Sequence, residues 1–204
     1  GMPEYEIAAY IHFGFMKRGA QGLSFHHIVA GGANALSFHH LAGQRSSKEG
    51  ELVLMDVGAN YGYYASDVTR TVPVSGKFSE EQKKLYEALL KAQETAIAKV
   101  KPGVTLADIH RTALQSLREA GLDSYVGHST CHYVGMAAHD PGVDVSKLEP
   151  GVVITVEPGI YLRDKDIGIR IEDTVVVTEN GCRVLSDGAP KSVDEIEKLM
   201  GGGK

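Results

Sequence analysis

Four acidic residues lie inside otherwise apolar, strand-like segments, and no other feature of the sequence limits the fold as strongly. They are Asp56 in VLMDVG, Asp67 in YYASDVTRTVPV, Glu157 in VITVEPG and Glu172 in IRIEDTVVV. A carboxylate flanked by core residues must be paired, protonated or bound to a metal ion, because an isolated buried charge costs several kcal/mol. One such acid is usually a cap or a solvated charge. Four of them predict a shared site.

The spacing of these acids predicts two hairpins. If the first pair is directly opposed, its turn falls between Tyr61 and Gly62, and the turn of the second pair falls between Asp164 and Lys165. Both positions lie in loop-like sequence. Directly opposed residues have Cβ atoms roughly 4.5–5.5 Å apart, so each pair can converge on ions roughly 3.5–4 Å from each other. The spacing therefore favours a two-metal hydrolytic site over a purely structural hairpin.

Size and composition predict one globular domain over residues 1–204. Of the 204 residues, 43% are hydrophobic and 23% are charged. A chain of this size and composition can bury a hydrophobic core without support from disulfides or structural metal ions. A net charge of -5 without a Lys/Arg run argues against nucleic acid and membrane partners. Only Cys131 and Cys182 are present. Two cysteines are too few for a disulfide framework and suggest a reducing compartment, so we expect the cytoplasm.

The hydrophobic periodicity predicts mixed α and β structure without a linker. Helical spacing covers residues 3–18, and Ser79 with Gln82 and Thr105 with Asp108 form the capping signatures of two more helices. ELVLMDVG, GVVITVEPG and IGIRIEDTVVVTENG have strand patterns, and a short helix ends the chain. The fold class is therefore α+β.

Three histidines lie on the segment between the two acid pairs. His128, His132 and His139 occur in VGHSTCHYVGMAAHDPG. A lone histidine is more often a packed or surface residue than a ligand, but a site rich in carboxylates needs only one nitrogen ligand. One imidazole among four carboxylates suits Mn, Co or Fe better than a structural zinc site.

The tetrapeptide SFHH occurs twice between Leu23 and His40, around a Gly-Gly-Ala-Asn turn. We expect a short strand on each side of this turn. Neighbouring residues on a strand point to opposite faces, so a His-His pair cannot bind one ion with both rings. The residues alone leave open which of the four histidines has a chemical role.

The motifs DVG…SDVTRT, HSTCHYVG…HD, ITVEPGIY and IGIRIED, in this order, resemble the pita-bread metallopeptidase family. This creatinase/aminopeptidase (M24-type) family includes Xaa-Pro aminopeptidases, prolidases and, more distantly, methionine aminopeptidases. The resemblance covers nearly the whole chain. It implies the pita-bread fold, in which a curved antiparallel sheet with flanking helices forms two pseudo-two-fold halves. It also implies two divalent metal ions, with Mn²⁺ expected and Co²⁺, Zn²⁺ or Fe²⁺ as alternatives. The implied metal ligands are Asp56, Asp67, His132, Glu157 and Glu172.

The resemblance implies roles for further residues. Glu157 would also move a proton to the leaving nitrogen, while His128 and His139 would contact the substrate. Arg170 would orient a ligand carboxylate. In IVAGGANALSFHH the histidine that projects into the active site corresponds to His39. The other three SFHH histidines are then expected to be packing or surface residues.

The implied activity is metal-dependent hydrolysis of the N-terminal Xaa-Pro bond of small peptides. The motifs HYVG…HDPG and IRIED are closer to the Xaa-Pro enzymes than to methionine aminopeptidases. Alternatives are an Xaa-Pro dipeptidase (prolidase), a methionine aminopeptidase-like enzyme, and a non-catalytic relative that binds peptides or proteins. The resemblance allows a homodimer. The N-terminal domain and first helix usual in the family have no counterpart here, so a catalytic domain alone is expected.

Overall fold

The computed structural model describes residues 1–143 and 146–201, and their secondary structure is mixed α and β. The four α-helices are α1 (Glu4–Lys17), α2 (Glu80–Lys99), α3 (Leu106–Glu119) and α4 (Val193–Gly201). Both predicted capping boxes are present, at the first turns of α2 and α3. Among the described residues, no helix combines the length and the apolar character that crossing a membrane requires.

Eleven short strands form antiparallel sheets only, within the part of the chain that is described. In chain order, the strands are β1 (Gly22–Leu23), β2 (Ile28–Gly31), β3 (Leu52–Val57), β4 (Ala59–Tyr61), β5 (Tyr64–Ala65), β6 (Val68–Pro73), β7 (Val153–Val156), β8 (Gly159–Leu162), β9 (Ile167–Arg170), β10 (Asp173–Thr178) and β11 (Gly181–Val184). The strand orders are β2-β3-β6, β11-β10-β7, β8-β9 and β1-β4-β5.

Helices α2 and α3 pack against one side of the strands β7–β11 and contribute to both large apolar clusters. Leu85 and Leu89 of α2 pack against Ile160 and Ile169 of the β8–β9 pair. Ile109 of α3 lies in a second apolar cluster with β7 and β10. Because the helices cover one face, the buried acids of the strands can gather on the other.

Candidate metal centre

One cavity brings together every site residue that the sequence predicts. Its volume is about 710 Å³. The predicted residues in its wall are His39, Asp56, Asp67, His128, His132, His139, Glu157, Arg170 and Glu172. These residues come from four separate parts of the chain, so the cavity exists only because the two acid-bearing hairpins fold against each other.

The second hairpin has the predicted register. Val156 faces Asp173 on one side of the acid pair, and Gly159 faces Arg170 on the other. Both pairings centre the hairpin between positions 164 and 165. Glu157 and Glu172 therefore lie opposite each other, in the gap between two ladders.

The first hairpin differs from its predicted register by two residues. Asp56 faces Thr69, and the turn is the two-residue loop Gly62–Tyr63. Both loop residues have positive φ, 56° and 73°, which is the pattern of a type I′ turn. Gly62 fits this conformation readily, whereas Tyr63 is an unusual occupant, so the sequence did not indicate the turn. Asp67 is consequently a diagonal neighbour of Asp56 and not its direct partner.

Thr69 joins the two hairpins at the site. Its carbonyl accepts the Glu172 N–H at 3.1 Å, and its Oγ1 donates to Glu172 Oε2 at 2.7 Å. The side chain of Thr69 is fully buried. Sequence reasoning missed this residue, although its position two after Asp67 places it on the same strand face.

A group of side chains that could hold a metal ion lines the cavity. One ligand atom each from Asp67, His132 and Glu172 lie within 4.8 Å of one another. Glu157 Oε1 is 3.4 Å from His132 Nε2, and Asp67 Oδ2 is 3.6 Å from the same nitrogen.

His132 is held as a neutral imidazole. Its Nδ1 lies 3.1 Å from the carbonyl of Tyr133, which can only accept, so Nδ1 carries the proton and the Nε2 lone pair faces the acids. Burial lowers the pKa of His132 to about 4. The ring of His139 stacks on it with centroids 3.8 Å apart. The predicted nitrogen ligand therefore has the tautomer that metal binding requires.

The guanidinium of Arg170 contacts Asp56, but one positive charge does not balance four carboxylates. Asp56 Oδ1 and Asp67 Oδ1 are buried without a hydrogen-bond partner. Burial, together with the charges of Asp56 and Glu157, raises the pKa of Asp67 to about 9. Burial likewise raises the pKa of Glu157 to about 8 and that of Glu172 well above its usual range. Buried acids with free oxygens and one neutral imidazole fit divalent cations that prefer oxygen ligands.

Arg170 contacts the carboxylate of Asp56. Its Nη2 donates to Asp56 Oδ2 at 2.6 Å, and its Nη1 donates to the Tyr161 hydroxyl at 2.9 Å. Arg170 is almost fully buried. It leaves the other oxygen of Asp56 directed at the cavity.

His128 is already engaged through both ring nitrogens. Nδ1 lies 2.8 Å from the Ser129 carbonyl, and Nε2 lies 2.8 Å from the Tyr161 hydroxyl. Burial lowers the pKa of His128 to about 4, so the ring is neutral and its one proton is on Nδ1. The Tyr161 hydroxyl accepts from Arg170 and donates to Nε2. His128 can therefore contact a substrate only if one of these two hydrogen bonds is broken and replaced by a bond to the substrate.

The second SFHH copy does not form the predicted strand. Strand β2 ends at Gly31, and a short 3₁₀ helix over Gly32–Leu36 follows, so His39 lies in a turn. The N–H to C=O bonds of the 3₁₀ helix satisfy this backbone locally, without a strand partner. His39 still lines the cavity. His26, which was expected to be a packing or surface residue, is exposed and also lines this cavity.

We expect His39→Ala to lower turnover about hundredfold while folding and metal content stay intact, because one positioned hydrogen-bond donor is lost. His12→Ala is the matched control, since His12 is an exposed histidine of α1 outside the cavity wall. Turnover, bound metal and thermal stability should be measured for both variants. Metal loss in His39→Ala, or equal turnover in the two variants, would contradict this role.

Comparisons with known proteins show which proteins this chain resembles. The sequence profile of metallopeptidase family M24 matches residues 1–179. The Xaa-Pro aminopeptidase of Haemophilus influenzae is 38% identical over 97% of this chain and 53% of that protein. The Xaa-Pro dipeptidase of Pyrococcus furiosus is 40% identical over 91% of this chain and 54% of that protein. The chain thus spans about half the length of the curated relatives it matches.

Solved structures give the same result for the fold. Pseudomonas aeruginosa aminopeptidase PepP superposes with a TM-score of 0.92 at 38% identity, over 99% of this chain and 53% of that one. The predicted arrangement of antiparallel sheets with flanking helices is therefore confirmed.

Proposed function

Because the chain belongs to metallopeptidase family M24, we propose that it hydrolyses the N-terminal Xaa-Pro bond of small peptides in a metal-dependent reaction. The chain has the pita-bread fold of its structural neighbours. The observation that carries the proposal is the convergence of four acids and one neutral imidazole on a single cavity. We also propose that residues 1–204 form the catalytic domain.

The proposed metal ligands are Asp56, Asp67, His132, Glu157 and Glu172. Two divalent ions bound by this set, with Mn²⁺ proposed, would lower the pKa of water and polarise the scissile carbonyl. The unpartnered oxygens of Asp56 and Asp67 and the raised pKa values of the buried acids support this assignment. Arg170 fixes Asp56 from behind, so that its second oxygen keeps one direction.

Glu157 is the proposed proton carrier. Its carboxylate is only partly buried, with 15% of the side chain exposed, and faces the cavity. It would take a proton from the attacking water and deliver it to the leaving nitrogen of proline. His139 and His39, which are exposed in the cavity wall, would hydrogen-bond the peptide backbone and the developing negative charge.

Apolar side chains in the cavity wall support recognition of a proline ring. Phe25, Ile28, Phe38 and Leu41 line the same cavity as the acids. A bond to proline is a tertiary amide without an N–H, so recognition must come from an apolar surface and not from a backbone hydrogen bond. The nearby Tyr161 is packed against Phe38, with ring centroids 4.6 Å apart, and supports this wall from behind.

An Xaa-Pro dipeptidase is the second candidate function, because a relative of that name is 40% identical to the chain. The two activities differ in whether the substrate continues beyond proline. A peptide series separates them: Ala-Pro, Ala-Pro-Ala and Ala-Pro-Ala-Ala, tested on the Mn²⁺-loaded protein. We expect cleavage after the first residue of the longer peptides. Cleavage of Ala-Pro alone would assign the dipeptidase.

We expect that replacing the second-position proline by alanine removes most of the rate, because the smaller side chain leaves the apolar wall unfilled. Release of the first amino acid from Ala-Pro-Ala and Ala-Ala-Ala measures this. Met-Ala-Ser is the matched control for the methionine-specific alternative. If Met-Ala-Ser is cut as readily as Ala-Pro-Ala, the proposed specificity is wrong.

A further inference from the structure

Corresponding residues of the two SFHH copies have corresponding positions in the fold. Phe25 and His26 of the first copy line the cavity, and so do Phe38 and His39 of the second. The last histidine of each copy turns away, towards α1. His27 packs edge-on against Phe15, with ring centroids 5.6 Å apart. His40 reaches Glu4, so α1 backs both segments of the cavity wall.

Glu4 is the residue of α1 that holds the second SFHH copy, through its contact with His40. It lies in the first turn of α1 and is fully buried. Oε1 accepts from the Gly31 N–H at 2.9 Å and from Asn34 Nδ2 at 2.8 Å. Oε2 pairs with His40 Nε2 at 2.8 Å and accepts from the Gly43 N–H at 3.1 Å. Both carboxylate oxygens are thus fully used within the chain.

These contacts make Glu4 a stable buried anion. Burial alone would raise its pKa, but the hydrogen bonds from Gly31, His40, Asn34 and Gly43 lower it below the ordinary value. A carboxylate can accept all of these bonds, whereas a neutral amide has only one accepting oxygen. Replacing Glu4 by glutamine would therefore leave some buried partners unsatisfied.

The groups that bind Glu4 lie on both sides of the cavity-wall residues Phe38 and His39 in the sequence. Gly31 and Asn34 precede Phe38 and His39, while His40 and Gly43 follow them. The Gly43 carbonyl also accepts the Tyr5 N–H at 3.0 Å, and the Arg45 carbonyl accepts the Glu4 N–H at 3.0 Å. In the described structure, residues 32–43 lie outside the strands, so these bonds to α1 help to determine where their side chains lie.

We propose that Glu4, together with His40, is a positioning residue that sets the substrate-facing side chains of the second SFHH copy. The proposal rests on the proposed function, because the cavity is taken to bind peptide. Glu4 itself does not touch the cavity. It acts through the segment from Gly31 to Gly43, which carries Phe38, His39 and Leu41 into the wall.

The variants Glu4→Gln and His40→Gln test the proposal in the full chain. We expect each to lower kcat/KM for Ala-Pro-Ala about ten- to a hundredfold, the scale for displacing a contact group by about 1 Å. Bound Mn²⁺ should be unchanged. Glu6→Gln is the matched control: Glu6 lies in the same helical turn, and among the described residues its side chain forms no hydrogen bond.

A double-mutant cycle separates positioning from general stability. In a background of His39→Ala with Phe38→Ala, adding Glu4→Gln should lower kcat/KM for Ala-Pro-Ala by less than about a further twofold, since the side chains that Glu4 positions are already gone. Additive losses would overturn the proposal. So would loss of Mn²⁺ in Glu4→Gln, or an equal effect of Glu6→Gln.

Hydrogen exchange tests the anchor without turnover. Glu4→Gln should speed amide exchange in the peptide covering residues 31–43 at least tenfold, while the peptide covering β3 stays protected. Unchanged exchange at 31–43 would overturn the proposal. If the wild-type chain cleaves no Xaa-Pro peptide but exchange responds as expected, the proposed function fails and the anchoring role stands.

Discussion

Asp67→Asn and Glu172→Gln are each expected to reduce kcat/KM for Ala-Pro-Ala to below about a thousandth of the wild-type value. Each change removes an anionic oxygen from the group of ligand atoms that lie within 4.8 Å of one another. Loss of metal-based stabilisation is worth several kcal/mol of barrier, and each 1.36 kcal/mol is about tenfold in rate. Initial rates at saturating and subsaturating Mn²⁺ provide the measurement.

Asp164→Asn is the control for these variants. Asp164 is an exposed acid in the loop between β8 and β9, so its removal changes the net charge equally but does not touch the cavity. It should keep full activity. Wild-type rates for Asp67→Asn or Glu172→Gln would remove the basis for a metal-dependent reaction at this site.

Metal-free protein is expected to lose stability steeply between pH 7 and pH 9.5. Asp67 and Glu157 have pKa values raised to about 9 and about 8, mainly by burial. The unfolded chain has carboxyl pKa values of about 4, so the folded state binds more protons in this window. The stabilisation that these two protonated acids contribute is therefore full below pH 4, declines as the pH rises above the unfolded values, and is gone once the pH exceeds the folded values. Histidines are neutral in both states above about pH 6.5 and do not contribute.

Thermal unfolding in EDTA and in excess Mn²⁺, at several pH values, measures this effect. The metal-loaded protein should show a much flatter profile, because bound cations stabilise the ionised carboxylates. Metal-free Asp67→Asn should be more stable than metal-free wild type at pH 9, since one of the repelling charges is gone. A metal-free midpoint that rises between pH 7 and pH 9.5 would show that these acids are not forced together.

The sequence was informative where the side-chain pattern determined the backbone. Glu157 and Glu172 are opposed as predicted, because a polar loop lies at their midpoint and both flanks are β-branched. The capping boxes of α2 and α3 could also be predicted from the sequence, since each depends on two residues three positions apart. All of the predicted site residues line one cavity.

The features that were missed depend on contacts between distant segments. The register of the first hairpin follows from Tyr63 at positive φ, which propensity does not predict. The His39 segment is fixed by bonds to Glu4, more than 25 positions earlier in the chain, and not by a strand partner. Thr69 and Tyr161 act through Glu172 and Arg170, and a single hydroxyl in a strand gives no sign of such a partner.

The number of metal ions per chain tests the central claim most directly. Metal-free protein should be titrated with Mn²⁺ by calorimetry, and the bound metal should then be counted by elemental analysis after removal of the excess. The account predicts two ions per chain in the wild type and fewer than two in Asp67→Asn, with matching gains in thermal stability. Binding of no Mn²⁺ at saturating concentration, with the protein folded, would contradict the account.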